Sequence, residues 1–333
     1  MKKGCVIFIS LLLAAFIASS ALGQVSLTDK KVMGEGVKPL SGEISLIDAS
    51  GLEYFINTNT AATGSTASGA ANEASYTQAV VTTTSMGGTT TSTLTDAYDD
   101  FGALVVNGTH YTNNGTATFE CNGRQLVFNP QVIGNLTVYR KVFVPSNDEF
   151  IRWINIITNN GSGTETVNVE TDNNLGSDDD TCIVTTSSGD ANATVADTWV
   201  TTNCDYDDPR LAHVLCGPGA PVGLNSIDFT SEVNNPTWSY SFNLGAGETG
   251  IIMFFDSGQP TKADAQAAAE YLVNLPANAV QCMTDEEKSQ VLNFVVAPAA
   301  AAAIPTVGHF GIIIMGLVLG ASGFWMIRKR RRT

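Results

Sequence analysis

Two runs of carboxylates are the densest chemistry-bearing groups in the chain: Asp178-Asp179-Asp180 after Ser177, and Asp205-Tyr206-Asp207-Asp208 after Cys204. Calcium takes about six to eight oxygens from carboxylates and carbonyls on such turns, so Asp178, Asp179, Asp180, Asp205, Asp207 and Asp208 form a candidate calcium set. The alternating D-x-D-x-D-G of an EF-hand is absent, and a solvated acidic loop is the alternative reading. Beyond possible calcium ligation, the sequence implies no cofactor. Only His110 and His213 precede the C-terminal segment, and no G-x-S-x-G, H-E-x-x-H or Walker loop occurs. A glycosidase needs only two carboxylates, but nothing among the 32 acidic residues singles out a pair, so no catalytic residue is assigned and the chain reads as a non-enzyme. His213, in Arg210-Leu-Ala-His213-Val, belongs to a strand as a hydrogen-bonded structural histidine.

Five cysteines lie in the body: Cys121, Cys182, Cys204, Cys216 and Cys282. In an exported chain disulfides are the default. Cys182 and Cys204 flank a hairpin-like segment centred near Ala193 and form the first expected pair, which would bring the two acidic turns together. Of Cys121, Cys216 and Cys282, one is left over or pairs between chains. Zinc is disfavoured, since no Cys-x-x-Cys occurs and histidine is scarce.

The elements that must hold these groups are strands. Leu136, Val138, Arg140, Val142 and Val144 alternate with Thr137, Tyr139, Lys141 and Phe143. FIRWINII from Phe150, TETVNVET from Thr164, Thr181 to Thr186, Thr198 to Thr202, the alternating Trp238, Tyr240, Phe242 and Leu244, and Ile251 to Phe255 follow, separated by turn chemistry. Many short strands predict a mainly β fold, an antiparallel β-sandwich. Two short C-terminal helices close it. One runs from Thr261 to Leu275; the other opens on the capping box Thr284-Asp285-Glu286-Glu287 and carries Val291, Leu292 and Val295 on one face. Residues 57–95, rich in Thr, Ser, Gly and Ala, suit an exposed insertion or loosely held β-structure.

The ends state an address. Met1-Lys2-Lys3, an apolar run from Val6 to Ala15 and Ala21-Leu22-Gly23 form an export signal cleaved between Gly23 and Gln24; a retained anchor is the alternative. Seven of the 17 basic residues lie at the two ends, so the body between them holds ten against 32 acidic ones, which excludes a nucleic-acid partner. Residues 308–327 form an uncharged stretch long enough to span a membrane, and Arg328 to Arg332 would stay cytoplasmic. The chain thus divides into a signal peptide (1–23), a linker (24–43), a β-sandwich ectodomain (44–260), a two-helix brace (261–296), an Ala/Pro tether (297–303) and a tail (304–333). The Sec translocon, signal peptidase and the inner membrane are the implied partners; no ligand is legible.

Ile304-Pro305-Thr306-Val307-Gly308, the span and the Arg cluster occur in order at the end of the chain. Over about 30 residues this tail resembles the IPTL-CTERM sorting signals of Gram-negative bacteria, with Val307 where that family has Leu. The resemblance implies recognition by an exosortase that cuts near Ile304, Pro305, Thr306, Val307 and Gly308, giving a single-pass inner-membrane intermediate with a periplasmic ectodomain and then a cell-surface or extracellular product. A plain membrane anchor is the alternative. Asp96-Ala-Tyr-Asp-Asp100, RKVFVPSNDEFIRWINIITN, NNLGSDDDT and DTW resemble a β-rich module of proteobacterial and myxobacterial surface proteins with no established activity, in an arrangement similar to sugar-binding supersandwich folds. Three functions follow: a structural or adhesive envelope component; a carbohydrate-binding, calcium-assisted module using exposed aromatics such as Trp153, Trp199 or Trp238, each more often a core residue; and a polysaccharide-acting enzyme.

Overall fold

The computed structural model describes residues 42–58, 67–83, 87–113, 117–177, 181–203, 208–229 and 234–297. Among the described residues the strands are β1 (Glu43–Ile47), β2 (Leu52–Asn57), β3 (Ala71–Tyr76), β4 (Val80–Thr83), β5 (Thr89–Ser92), β6 (Ala103–Val106), β7 (Thr109–His110), β8 (Ala117–Glu120), β9 (Gln125–Phe128) and β10 (Gln131–Ile133). They continue as β11 (Leu136–Phe143), β12 (Ile151–Asn159), β13 (Glu165–Asp172), β14 (Ile183–Thr186), β15 (Trp199–Thr202), β16 (Arg210–Val214), β17 (Ser226–Asp228), β18 (Thr237–Leu244) and β19 (Thr249–Gln259). Two helices follow, α1 (Lys262–Leu272) and α2 (Asp285–Gln290).

The fold is mainly β, with antiparallel sheets and two C-terminal helices. A nine-stranded sheet runs β14-β15-β16-β19-β12-β11-β9-β8, with β10 also on β11. A five-stranded sheet runs β17-β18-β13-β6-β7; β1-β2-β3 and β4-β5 form smaller sheets. The two large sheets make a sandwich, and the burial pattern says which one is outside. In β13 Val167, Val169 and Thr171 are buried while Thr166, Asn168 and Glu170 are exposed, the alternation of a sheet with one wet face. Ile151–Ile157 of β12 is buried at every position, because its odd residues (Ile151, Trp153, Ile157) face the five-stranded sheet and Ile154 and Ile156 face the helices. β19 does the same: Ile252 and Phe254 look one way, Ile251, Met253 and Phe255 the other. The nine-stranded sheet is therefore the middle of three layers.

Between the sheets, Trp153 stacks on Phe254 at 4.9 Å between ring centroids, and Trp238 meets Phe254 edge-on at 5.8 Å. Trp153 and Trp238 are wholly buried and Trp199 is nearly so. Burial favours the core reading of these residues over the sugar-binding one: Trp153 and Trp238 fill space between the two sheets, and Trp199 packs in the cluster beneath the helices. On the other face, Ala265, Ala269 and Leu272 of α1 and Ala279 cover Ile154, Met253 and Phe255.

Local signals set the helix ends. The Thr261 side chain accepts from the Asp264 N–H, and Thr284 and Glu287 form a reciprocal capping box. The helix α2 stops sooner than its apolar pattern predicts. Val291 is extended and bridges Ile251 in parallel, so Val291 and Leu292 continue the sheet edge rather than a helix face, and Val295 is exposed.

The Thr/Ser-rich stretch splits in two. Ala71, Ala74 and Tyr76 of β3 enter the inter-sheet core, and Ala67 to Ala70 are buried beneath it. Small residues are needed there. Gly69 has φ +77°, and a Cβ on it would lie 2.8 Å from the Arg140 side chain. By contrast, β5 has no buried side chain, and Thr82 of β4 ties the hairpin down by donating to the Pro260 carbonyl at 2.9 Å.

Cys121 and Cys282 are joined by a disulfide, with 5.8 Å between Cα atoms and a separation of 161 positions in sequence, and Cys216 is free and buried. That settles the three cysteines the spacing left open. Closing a loop of this length restricts the unfolded chain by about 5 kcal/mol in the chain-entropy account. The double variant Cys121→Ala/Cys282→Ala is expected to lose about 2–5 kcal/mol of unfolding free energy in urea titration; an unchanged midpoint would show that the bridge adds nothing.

Candidate functional site

The chain's exit toward its C-terminal end is built like a socket. Asn293 donates its amide to the Leu215 carbonyl at 2.8 Å and to the Met253 carbonyl, while its Oδ1 accepts from the Met253 N–H at 2.9 Å. The Gly217 N–H donates to the Asn293 carbonyl at 2.8 Å. Phe294, buried edge-on against Phe255, closes so tightly on Gly217 that a Cβ there would come within 2.8 Å of its ring. Behind this socket, Lys141 joins Glu287 at 2.9 Å and Glu120 at 3.0 Å. Arg152 gives Nη1 to the carbonyls of Ala279 and Gln281 and Nη2 to Gln125 Oε1, each at 2.8 Å, and lies 4.7 Å from the Phe143 ring centroid. Burial lowers the Arg152 guanidinium to about 9.

A second constellation lies in the inter-sheet core. Tyr98 donates its hydroxyl to Asp256 Oδ1, Asp256 Oδ2 pairs with His213 Nδ1, and His213 Nε2 shares a hydrogen bond with Thr202 Oγ1 at 2.8 Å. All four side chains are fully buried, with Phe101 stacked 5.4 Å from the imidazole. Burial first, then Asp256, pushes the Tyr98 phenol well above its usual range, so it serves as a donor. All four groups are closed off from solvent in the core. His213 is a satisfied strand histidine, as its sequence context suggests.

Arg140 is likewise sealed in. Its Nη1 donates to the Gly102 carbonyl at 2.8 Å and the Ser68 carbonyl at 3.2 Å, and burial lowers it to about 9. Burial raises the Asp100 carboxyl to about 7, only partly offset by Arg140. A carboxyl raised in the folded state holds its proton there after the unfolded chain has lost it, so its contribution to stability is full below about pH 4 and falls away toward pH 7. Asp100→Asn is expected to flatten the decline of unfolding free energy between those limits by up to about 1.4 kcal/mol per pH unit; an unchanged slope in urea melts across that range would contradict it.

A surface groove of ≈ 250 Å³ lies between α1 and the loop before β12, lined by Asp148, Glu149, Gln259, Asp264 and Tyr271. Much of its polarity is already used: Tyr271 and Asn278 donate to Asp148 Oδ2 at 3.0 and 3.1 Å, and Gln259 donates to Glu149 at 3.3 Å. Among the described residues no group of three or more His, Cys, Asp or Glu could hold a metal.

Of the expected site residues, Gly23, Gln24, Asp178, Asp179, Asp180, Cys204, Asp205, Asp207 and Ile304 to Gly308 lie outside the described residues, as does the 308–327 span. No helix among the described residues is long and apolar enough to cross a membrane. Asp208 is described, and its carbonyl accepts from Arg210 at 2.8 Å. Cys182 is disulfide-bonded and precedes the β14–β15 hairpin, where the Asn203 N–H donates to its carbonyl at 3.0 Å. Residues that sequence reading missed are the clamp partners Glu120, Lys141 and Glu287, the buried Arg140 and Arg152, and Asp256. The inward register of Arg140 among Val138, Val142 and Val144 was the available signal for one of them. Peptide mapping without reduction is expected to recover Cys182 linked to Cys204; both as free thiols, or a different partner, would refute the pairing.

The IPTL-CTERM motif model matches residues 302–332. This motif is a C-terminal sorting signal and supports a secreted or cell-surface destination. A search of curated proteins finds no match. Similar solved structures include heparinase III (14% identity, TM-score 0.40, 68% of this chain and 37% of that one). Another is a TPR-domain containing protein from Parabacteroides distasonis (10%, 0.41, 66% and 47%). A third is a galactose mutarotase related enzyme from Lactobacillus acidophilus (9%, 0.36, 66% and 98%). The chain spans well under two thirds of the first two, and at these scores the likenesses assign it no activity.

Proposed function

We propose that this chain is an exported, C-terminally sorted surface protein whose β-sandwich serves a structural or adhesive role in the cell envelope, with no catalysis of its own. The observation that carries this reading is the IPTL-CTERM match at residues 302–332. The Cys121–Cys282 disulfide suits an oxidising compartment outside the cytoplasm. The signal peptide delivers the chain through the Sec translocon, and signal peptidase cuts before Gln24. The span then holds it in the inner membrane until an exosortase-type enzyme acts at Ile304 to Gly308. A plain anchor needs only apolar length and flanking charge; Pro305, between tether and membrane, resists helix continuation and presents an extended backbone for cleavage.

Pro305→Ala is expected to leave export intact in the native host but to retain the full-length, membrane-bound form, read by immunoblot of membrane and released fractions. Equal size and equal partition of wild type and variant would reduce the tail to an anchor.

A further inference from the structure

Only residues 283–297 lie between the disulfide and the C-terminal edge of the described body. We infer that the Cys121–Cys282 bridge makes the ectodomain a tension-bearing link, in which pull on the C-terminal end crosses from Cys282 to Cys121 and bypasses the 160 residues between them. This inference rests on the proposed sorting, with the ectodomain joined to a surface anchor through its processed C-terminal end rather than released.

The load path follows from connectivity. Tension on the exit segment first meets the Asn293 and Phe294 socket and the Val291–Ile251 bridge, all non-covalent. Once these yield, 15 residues straighten, which at about 3.6 Å each is about 54 Å of slack. The next residue is Cys282, where a covalent bond takes over. Without that bond the peel would continue through the 3-10 turn at Ala277–Val280 and then α1, uncovering Ile154, Met253 and Phe255, and would end by drawing out β19 from the centre of the nine-stranded sheet. With it, β9 to β19 and α1 all lie inside a closed covalent loop and carry no pull. Tension passes from Cys121 into β8, which directly precedes it and is the edge strand of the same sheet, and on through the strands before it.

The polar contacts converge on the same two points. Lys141, in the sheet, ties Glu120, the neighbour of Cys121, to Glu287, five residues past Cys282. Gln125 donates to Glu120 Oε2 at 3.1 Å and to the Cys282 carbonyl at 3.3 Å, and Arg152 holds the Gln281 carbonyl. Loop-closure entropy would reward a long-range disulfide at many places in this fold. Its position at the C-terminal exit, braced by an ion-paired lysine and a buried arginine, is what a mechanical role explains.

Single-molecule pulling on the purified exported chain, held by peptide tags ligated to its two ends, tests this. The molecule is folded first and reductant is added afterwards, so refolding without the bridge is not required. The oxidised chain is expected to give an early release of no more than about 5 nm and to reach a final contour length about 58 nm shorter than the reduced chain, the length of 160 residues at about 3.6 Å each. The reduced chain is expected to unfold through its helical face, at lower force. Equal contour lengths in both states, an oxidised C-terminal release far longer than about 5 nm, or identical rupture forces with and without reductant would overturn the inference. Because the measurement never involves the sorting enzyme, its outcome is independent of whether the tail is processed.

Discussion

The constraint on which the fold depends is the burial of both faces of β12 and β19. Two adjacent central strands buried on both faces, with Arg152, Asn155 and Asp256 sealed in beside their apolar residues, cannot sit at a surface. One face requires the five-stranded sheet, which supplies Trp238, Tyr240, Val167 and Val169; the other requires a cover, which the helices and the turn at Ala277–Val280 supply. The C-terminal segment is thus part of the core, and anything that strips it leaves Ile154, Met253 and Phe255 facing water, at about 1.5–3 kcal/mol for each large side chain.

Charge placed inside these layers makes the arrangement specific. A buried guanidinium is costly unless its donors are satisfied. Arg152 finds its acceptors in Ala279, Gln281 and Gln125 only when the turn at Ala277–Val280 is docked. Arg140 finds two of its own only when the Ala67–Ala70 segment and Gly102 close over it. Tyr98, Asp256, His213 and Thr202 likewise join four separate stretches of chain by one hydrogen-bonded path. These groups act as registry pins: each fixes where a layer must sit, and each would be left unpaired by a slip.

How much of this was legible depended on whether the signal was local. The alternation in Leu136–Phe143 and Thr237–Leu244, the Ile- and Trp-rich run of β12, and the caps at Thr261 and Thr284 are neighbour-to-neighbour patterns, and they placed those elements to within a few residues. β3 was obscured because two of its three buried side chains, Ala71 and Ala74, are small and sit among Ser and Asn, a composition shared with exposed loops. The Cys121–Cys282 bridge spans 161 positions, and nothing in either cysteine's surroundings in sequence names the other. The three tryptophans looked available for a ligand because aromatic residues serve both cores and sugar sites; only tertiary packing decides, and here it put them inside. For the candidate site, the sorting motif was readable as a short ordered string, whereas the lysine, arginine and glutamates that brace the exit became visible only once distant strands were brought together.

A covalently stapled, layered body suits the tail processing we propose, since a body whose final described residues are locked into its core would keep its fold when the chain beyond them is cut. The most direct measurement is the intact mass and C-terminal sequence of the protein recovered from its native host. The account predicts a mature chain ending at or near Ile304 to Gly308, lacking the 308–327 span and the Arg cluster. A chain that still ends at Thr333 would contradict it.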